Sequence, residues 1–230
     1  MQLKLFSLLL AATAMTAACG DDGGNTEPAG EARVRVVHAS PDAPEVDVLV
    51  DGASVLTSVP YRGASGYLAV PAGARNLKVN AAGTPTTVID ADVNLVDGTD
   101  YTVIASGRVA AIEPIVLEDD NRAPAAGNAR VRAIHGAASA PAVDIYVTAP
   151  GADLAAETPA LVNVGFGDVA DYIEAPAGDY QVRVTPTGTT TVVIDSGTFT
   201  LASGQVRTAI AVDAAGGGGP FGLLLLEDLN

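Results

Sequence analysis

Two histidines, one cysteine and 27 acidic residues are the side chains of this 230-residue chain from which chemistry could be built. His38 and His135 occupy matching places in two similar segments, and each is followed by an aspartate, Asp47 and Asp144. A histidine oriented by a carboxylate is the usual general base. Alternation along an extended strand opposes that pairing: His38 shares a face with Val34 and Val36, while Asp47 points away from the face of Val46 and Val48. Both histidines are therefore expected to be structural, each ring filling the end of a core and hydrogen-bonding the following turn. Two histidines in separate segments fall short of the four ligands of a zinc site, and a lone cysteine excludes a cysteine-rich one.

Carboxylates offer the other chemistry. Asp90 and Asp92 share a strand face, Asp97 and Asp100 flank a turn, and Glu118, Asp119 and Asp120, with Asn121, sit beside a Pro/Gly/Ala-rich stretch. Glu118, Asp119 and Asp120 are candidate calcium ligands, since calcium takes six to eight oxygens. The competing reading is a strand that ends in solvated charge, and the recurrence of the pattern at Glu227-Asp228 favours it. Two carboxylic acids about 5 to 9.5 Å apart would suit glycoside cleavage, so a secreted carboxylate-dependent hydrolase such as a glycosidase is the alternative function. Tyr67 and Tyr172 recur between the segments as a sugar-stacking or protein-contact face, or else as covers of a sheet edge with their hydroxyls in water. Gly216-Gly217-Gly218-Gly219-Pro220 precedes no Lys-Ser/Thr and opens no helix, so it reads as a hairpin loop rather than a phosphate cradle. The chain has no Gly-x-Ser-x-Gly elbow, His-Glu-x-x-His or Gly-x-x-x-x-Gly-Lys-Ser/Thr. No catalytic residue and no cofactor is assigned.

The elements that would position these groups begin with an export segment. Lys4 precedes the apolar run Leu5 to Ala12, too short for a permanent span, which needs roughly 20 residues. Residues 1–18 thus read as a signal peptide. Thr16-Ala17-Ala18-Cys19 resembles the bacterial lipobox, with Thr16 where that pattern usually carries Leu. The resemblance implies a lipidated Cys19, which would also remove an unpaired thiol from an oxidising compartment. Residues 19–31 then form a polar tether. By resemblance to lipoprotein sorting, Gly20 after the cysteine, rather than Asp, favours the outer membrane if the cell has one; without lipidation the protein would be secreted or periplasmic. With 12 basic residues against 27 acids, the net charge of -15 repels phosphate backbones and argues against a nucleic-acid partner.

Beyond the tether the chain repeats itself. Ala32-Arg33-Val34-Arg35-Val36-Val37-His38 recurs as Ala129-Arg130-Val131-Arg132-Ala133-Ile134-His135, and Val46-Asp47-Val48 as Val143-Asp144-Ile145. After an insertion around Ala149 to Pro159, Tyr67 with Pro71-Ala72-Gly73 meets Tyr172 with Pro176-Ala177-Gly178. Matches that keep their order indicate duplicated units. Within each, apolar residues alternate with a period of two between turn signals such as Asp51-Gly52 and Asp97-Gly98. The pattern predicts strands near 32–38, 46–51, 54–58, 66–70, 75–80, 87–95, 100–106 and 111–118, with Arg33 and Arg35 on the solvent face. The fold class is all-β, two tandem antiparallel β-sandwich domains, immunoglobulin-like or transthyretin-like. They are expected at 32–121 and 129–230, joined by a linker at 122–128.

The opening run at 32–48, Tyr67-Leu68-Ala69-Val70-Pro71-Ala72-Gly73 and Leu117-Glu118-Asp119-Asp120-Asn121 resemble the bacterial domain-of-unknown-function family 4397. The second copy carries Gly136-Ala137-Ala138-Ser139-Ala140-Pro141 in place of the Ser-Pro-Asp turn. The resemblance implies an exported protein, often lipid-anchored or wall-associated, with no activity assigned. The expected role is a cell-envelope lipoprotein acting as a structural, adhesive or ligand-binding surface module with an envelope protein or glycan partner, and not an enzyme. Replacing Cys19→Ala should move the protein from the membrane to the soluble fraction; unchanged sedimentation with membranes would exclude lipid attachment.

Overall fold

The computed structural model describes residues 30–228. Cys19, the signal segment and nearly all of the tether lie outside the described residues. The described chain is all-β, with eight strands in each half. The first half comprises β1 (Glu31–His38), β2 (Val46–Val50), β3 (Ala53–Val59), β4 (Leu68–Pro71), β5 (Gly73–Ala81), β6 (Thr87–Leu95), β7 (Asp100–Ser106) and β8 (Glu113–Asp119). The second comprises β9 (Asn128–His135), β10 (Val143–Thr148), β11 (Leu161–Val164), β12 (Ile173–Pro176), β13 (Gly178–Pro186), β14 (Ile194–Leu201), β15 (Val206–Val212) and β16 (Gly222–Glu227). Among the described residues no helix is long and apolar enough to cross a membrane.

Each half is a sandwich of two four-stranded sheets: β4-β1-β7-β8 over β3-β2-β5-β6, and β12-β9-β15-β16 over β11-β10-β13-β14. The halves are therefore β-sandwiches of one topology, as the repeat predicts. One feature of the pairing differs from expectation. β1 lies parallel to β7 and β9 parallel to β15, while the remaining ladders are antiparallel. Alternation reveals which face a residue takes and says nothing of strand direction, so this was beyond the pattern.

The cores follow the parity of the sequence. Val34, Val36 and Val103 face Val48 and Leu77 across the first sandwich. In the second, Ala133, Ala211 and Leu223 face Val143, Ile145 and Val184. The surprise is the opposite face. Val37, Ile104, Ile134, Ile210, Val212 and Leu226 form a third cluster that joins the two sandwiches, so the four sheets stack as layers. β7 and β15 are consequently buried on both faces, which fits their nearly unbroken apolar runs.

This layering corrects the placement of the arginines. Arg35 and Arg132 are 2% and 3% exposed, sealed between the halves rather than facing solvent. Arg35 donates to the Asp228 carboxylate (2.7 Å), the Glu227 carbonyl (3.0 Å) and Thr102 Oγ1 (2.8 Å). Arg132 makes the mirrored set with Asp119, the Glu118 carbonyl and Thr208 Oγ1. Each threonine hydroxyl in turn donates a hydrogen bond to the aspartate of its half, Thr102 to Asp119 at 2.6 Å and Thr208 to Asp228 at 2.7 Å. The two charges of each pair come from different halves. Removing one carboxylate strands a buried guanidinium, which typically costs about 3–5 kcal/mol. Asp119→Ala should lower stability on that scale in denaturant titration, and the added replacement Arg132→Met should recover much of it. Additive losses would show that the two groups are not coupled.

Candidate functional site

The histidines are held where the sequence placed them, at the ends of β1 and β9, and both are buried. Nε2 of His38 lies 3.0 Å from the Pro44 carbonyl, and the Ser40 amide donates to Nδ1 at 3.3 Å. An acceptor on one side and a donor on the other fix the neutral tautomer with the proton on Nε2. His135 repeats the contact to the Pro141 carbonyl at 3.1 Å, but its buried Nδ1 has no partner. Neither ring meets its aspartate. Asp47 instead accepts from the Ser58 and Gly83 amides, and Asp144 from those of Asn163 and Gly188. These bonds hold both carboxyls below the usual carboxylate range. They also hold Ser58 and Asn163 at φ of 51° and 53°, a conformation that costs a non-glycine residue energy.

The calcium candidates are engaged elsewhere. Asp119 lies in the buried arginine network, and Asp120 on the opposite side of the chain accepts from Arg122 and Arg130. Those two guanidinium partners push the Asp120 pKa far down, Arg122 foremost. Glu118 is exposed, with Tyr101 Oη 3.4 Å from its carboxylate. Among the described residues no three His, Cys, Asp or Glu side chains gather as a metal site. Asp90 and Asp92 both accept from the Asn76 amide, at 2.8 and 2.9 Å. Asp100 is chelated by Arg33 and bound by Asn121, apart from exposed Asp97.

Tyr67 and Tyr172 are turned inward. Their hydroxyls donate to Asp119 (2.5 Å) and Asp228 (2.9 Å), and burial, with these carboxylates adding to it, raises both phenols well above their ordinary range. Arg130 and Arg132 stand 4.8 Å from the Tyr172 ring centre, and Arg35 is 4.9 Å from that of Tyr67. The rings are cation–π partners of the interface, not free stacking platforms. The glycine loop between β15 and β16 also serves the junction. Gly216 donates to the Pro41 carbonyl, and Tyr61 and Arg62 of the first half donate to the Asp213 carbonyl. Gly216, Gly217 and Gly218 all take positive φ there, which only glycine does freely.

What remains open is a cleft of about 440 Å³ at the junction, lined by Glu118 and Asp120 from the end of β8, Arg130 from β9, and Asp171 and Tyr172 leading into β12. It continues past Arg130 and Tyr172 to Arg122 and Glu174 in a second recess of about 330 Å³. Asp171 and Glu118 are exposed acceptors, and Arg130 is anchored by Asp120. Sequence reading named Glu118, Asp120 and Tyr172 but missed Asp171 and Arg130. Nothing along the strand shows that the end of β8 faces β12.

Because burial lowers the His38 pKa, against a weaker opposing effect of its bond to Pro44, the unfolded chain takes up that proton more readily. Unfolding free energy should hold steady above about pH 6.5 and fall as pH drops from there toward the folded pKa. His38→Gln should flatten this limb while leaving the steeper carboxylate-driven loss below about pH 4. An unchanged slope between pH 6.5 and 5 in the variant would assign the effect to another group.

No curated protein matches the chain. Among solved structures it is similar to two proteins described as alpha-glucan-binding streptococcal virulence factors or their family 41 carbohydrate-binding modules. These are 12% and 13% identical, cover 79% and 83% of this chain and 92% and 95% of theirs, and have TM-scores of 0.26 and 0.29. A family 26 carbohydrate-binding module of Eubacterium rectale Amy13K, solved with maltoheptaose, is 9% identical over 86% of this chain and 98% of its own, with a TM-score of 0.27. Overlap this slight carries no weight for fold or ligand. The model of the domain of unknown function DUF4397 matches residues 32–146 and 147–230, two segments whose boundary falls inside β10. Matched along nearly its whole folded length, the chain belongs to the DUF4397 family.

Proposed function

We propose that the protein is a lipid-anchored module of the bacterial cell envelope that binds a glycan in the junction cleft and performs no catalysis. The observation that carries this reading is the cleft of about 440 Å³, because there the exposed carboxylates of Asp171 and Glu118, the latter held only by a long bond from Tyr101, meet an anchored guanidinium. Sugar hydroxyls both donate and accept. Asp171 and Glu118 supply acceptors, and Arg130, held by Asp120, supplies fixed donors beside the edge of Tyr172. A net charge of -15 favours a neutral glycan over an acidic one.

Export and attachment through Cys19 support the same reading from the sequence side. The polar tether would lift the sandwiches off the membrane. The binding-only reading is supported by the fate of the chemical groups: each histidine is bound to a turn carbonyl, and the aspartates most like a catalytic pair bind backbone amides or asparagine.

The test is a neutral-glycan array on the full chain carrying Cys19→Ala. Binding should be detected, and Asp171→Ala or Glu118→Ala should each weaken it about tenfold without moving the thermal midpoint. A blank array, or binding indifferent to both replacements, would remove the cleft as the site. Steady release of reducing sugar, abolished by one carboxylate substitution, would make the protein a hydrolase instead.

A further inference from the structure

The two sandwiches share a topology but not a packing. In the first, Val36 on β1 lies beside Val103 on β7, and Val70 on β4 beside Ala32. All three valines are buried in the core. At the same positions of the second sandwich the register pair is Ala133 with Ala209, and Ala175 stands beside Ala129. Three valines have become alanines on one sheet. Across from them Leu77 is replaced by Val182, and only Phe199 in place of Val93 adds substantial bulk.

The result is a cavity of about 100 Å³ between the sheets, lined by Ala133, Ala175, Ala209, Val184, Phe199 and their apolar neighbours. Arg132 reaches it, but its guanidinium is committed to Asp119 and Thr208, so it presents its hydrocarbon stem. Water requires two to four polar partners, which this lining does not offer, and apolar cavities of this kind stay dry while accepting small hydrocarbons. The space is not sealed. Val147 and Ile173, which also line it, are 42% and 44% exposed although Val147 lies on the inward face of β10 with Ile145. They mark a mouth between the sheets.

We propose that this slot binds a short hydrocarbon moiety, the end of an alkyl chain entering past Val147 and Ile173 with its polar head left in water. An engineered cavity of about 150 Å³ holds a six-carbon ring, so the room here suits a chain end of a few carbons and excludes a sterol or a whole acyl chain. An unfilled cavity weakens the fold that contains it, and an occupant restores the missing contacts. Arg132 lines both this slot and the junction cleft, but alkyl binding here requires nothing of the glycan site.

The test follows the alanine methyl resonances of the full chain during titration with 1-hexanol, a free alkyl source, and with dihexanoylphosphatidylcholine below its micelle concentration, a lipid source. Saturable shifts are expected at Ala133, Ala175, Ala209 and Ala211, with Ala32 and Ala105 of the first sandwich unmoved. Response to hexanol alone would identify a free small molecule as the ligand class, and response to the phospholipid would extend it to lipid chain ends. Ala133→Val and Ala209→Val, each restoring the residue of the first sandwich, should weaken binding at least tenfold and raise the thermal midpoint. Absence of saturable shifts with both probes, or binding that survives both valine variants, would overturn the proposal.

Discussion

The reciprocal ion pairs between Arg35 and Asp228 and between Arg132 and Asp119 constrain the molecule more than any other contact. A buried guanidinium is tolerated only when its charge and its donors are met. Here each is met by a threonine on the neighbouring strand of its own half and by a carboxylate and a carbonyl at the last strand of the other half. The two central sheets must therefore stack in one register, β8 and β16 must end where they do, and the tyrosine hydroxyls must turn inward to complete the aspartates. Val37, Ile134, Ile104 and Ile210 fill the space beside the charges and keep water from them.

Much of this was legible in the chain. Strands at 87–95 and 100–106 fall where the alternation put them, and the histidines take the structural place their parity implied. The second face of β1 was not legible. Arg33 and Arg35 look like solvent residues because the rule for a one-sided sheet assumes the other side is wet, whereas the pairing of charges between copies is a property of no single strand. A hint existed in Asp100–Ser106, whose run of Tyr101, Val103, Ile104 and Ala105 is too apolar for a sheet with one exposed face. The recurrence of Leu-Glu-Asp at both ends suggested an incidental acidic finish. It instead reflects reciprocity, since Asp228 lies at the same junction as Asp119, reached from the other side.

The two copies have kept the interface and drifted apart elsewhere. Arg33 of the first is matched by Asp100, whereas Arg130 turns to Asp120 because Val206 occupies the place of Asp100. The drift that opened the core of the second sandwich left the Thr102 and Thr208 contacts intact. The copies thus share the contacts of the junction and differ in their cores and at the ends of β1 and β9, where ligand specificity can reside on a common scaffold.

The mirrored contacts also give the molecule the form of a two-fold dimer written into one polypeptide. In a true dimer of this design both partners would carry the same surface, and every change would occur twice. The connection between β8 and β9 breaks that bond between copies. It also replaces association from dilute solution with closure at an effective concentration in the millimolar range for a short tether, so the interface need not be strong enough to find a free partner. Fusion thus converts symmetry from a requirement into an inheritance, and the halves together can keep the joint closed while the core of one acquires a shape of its own.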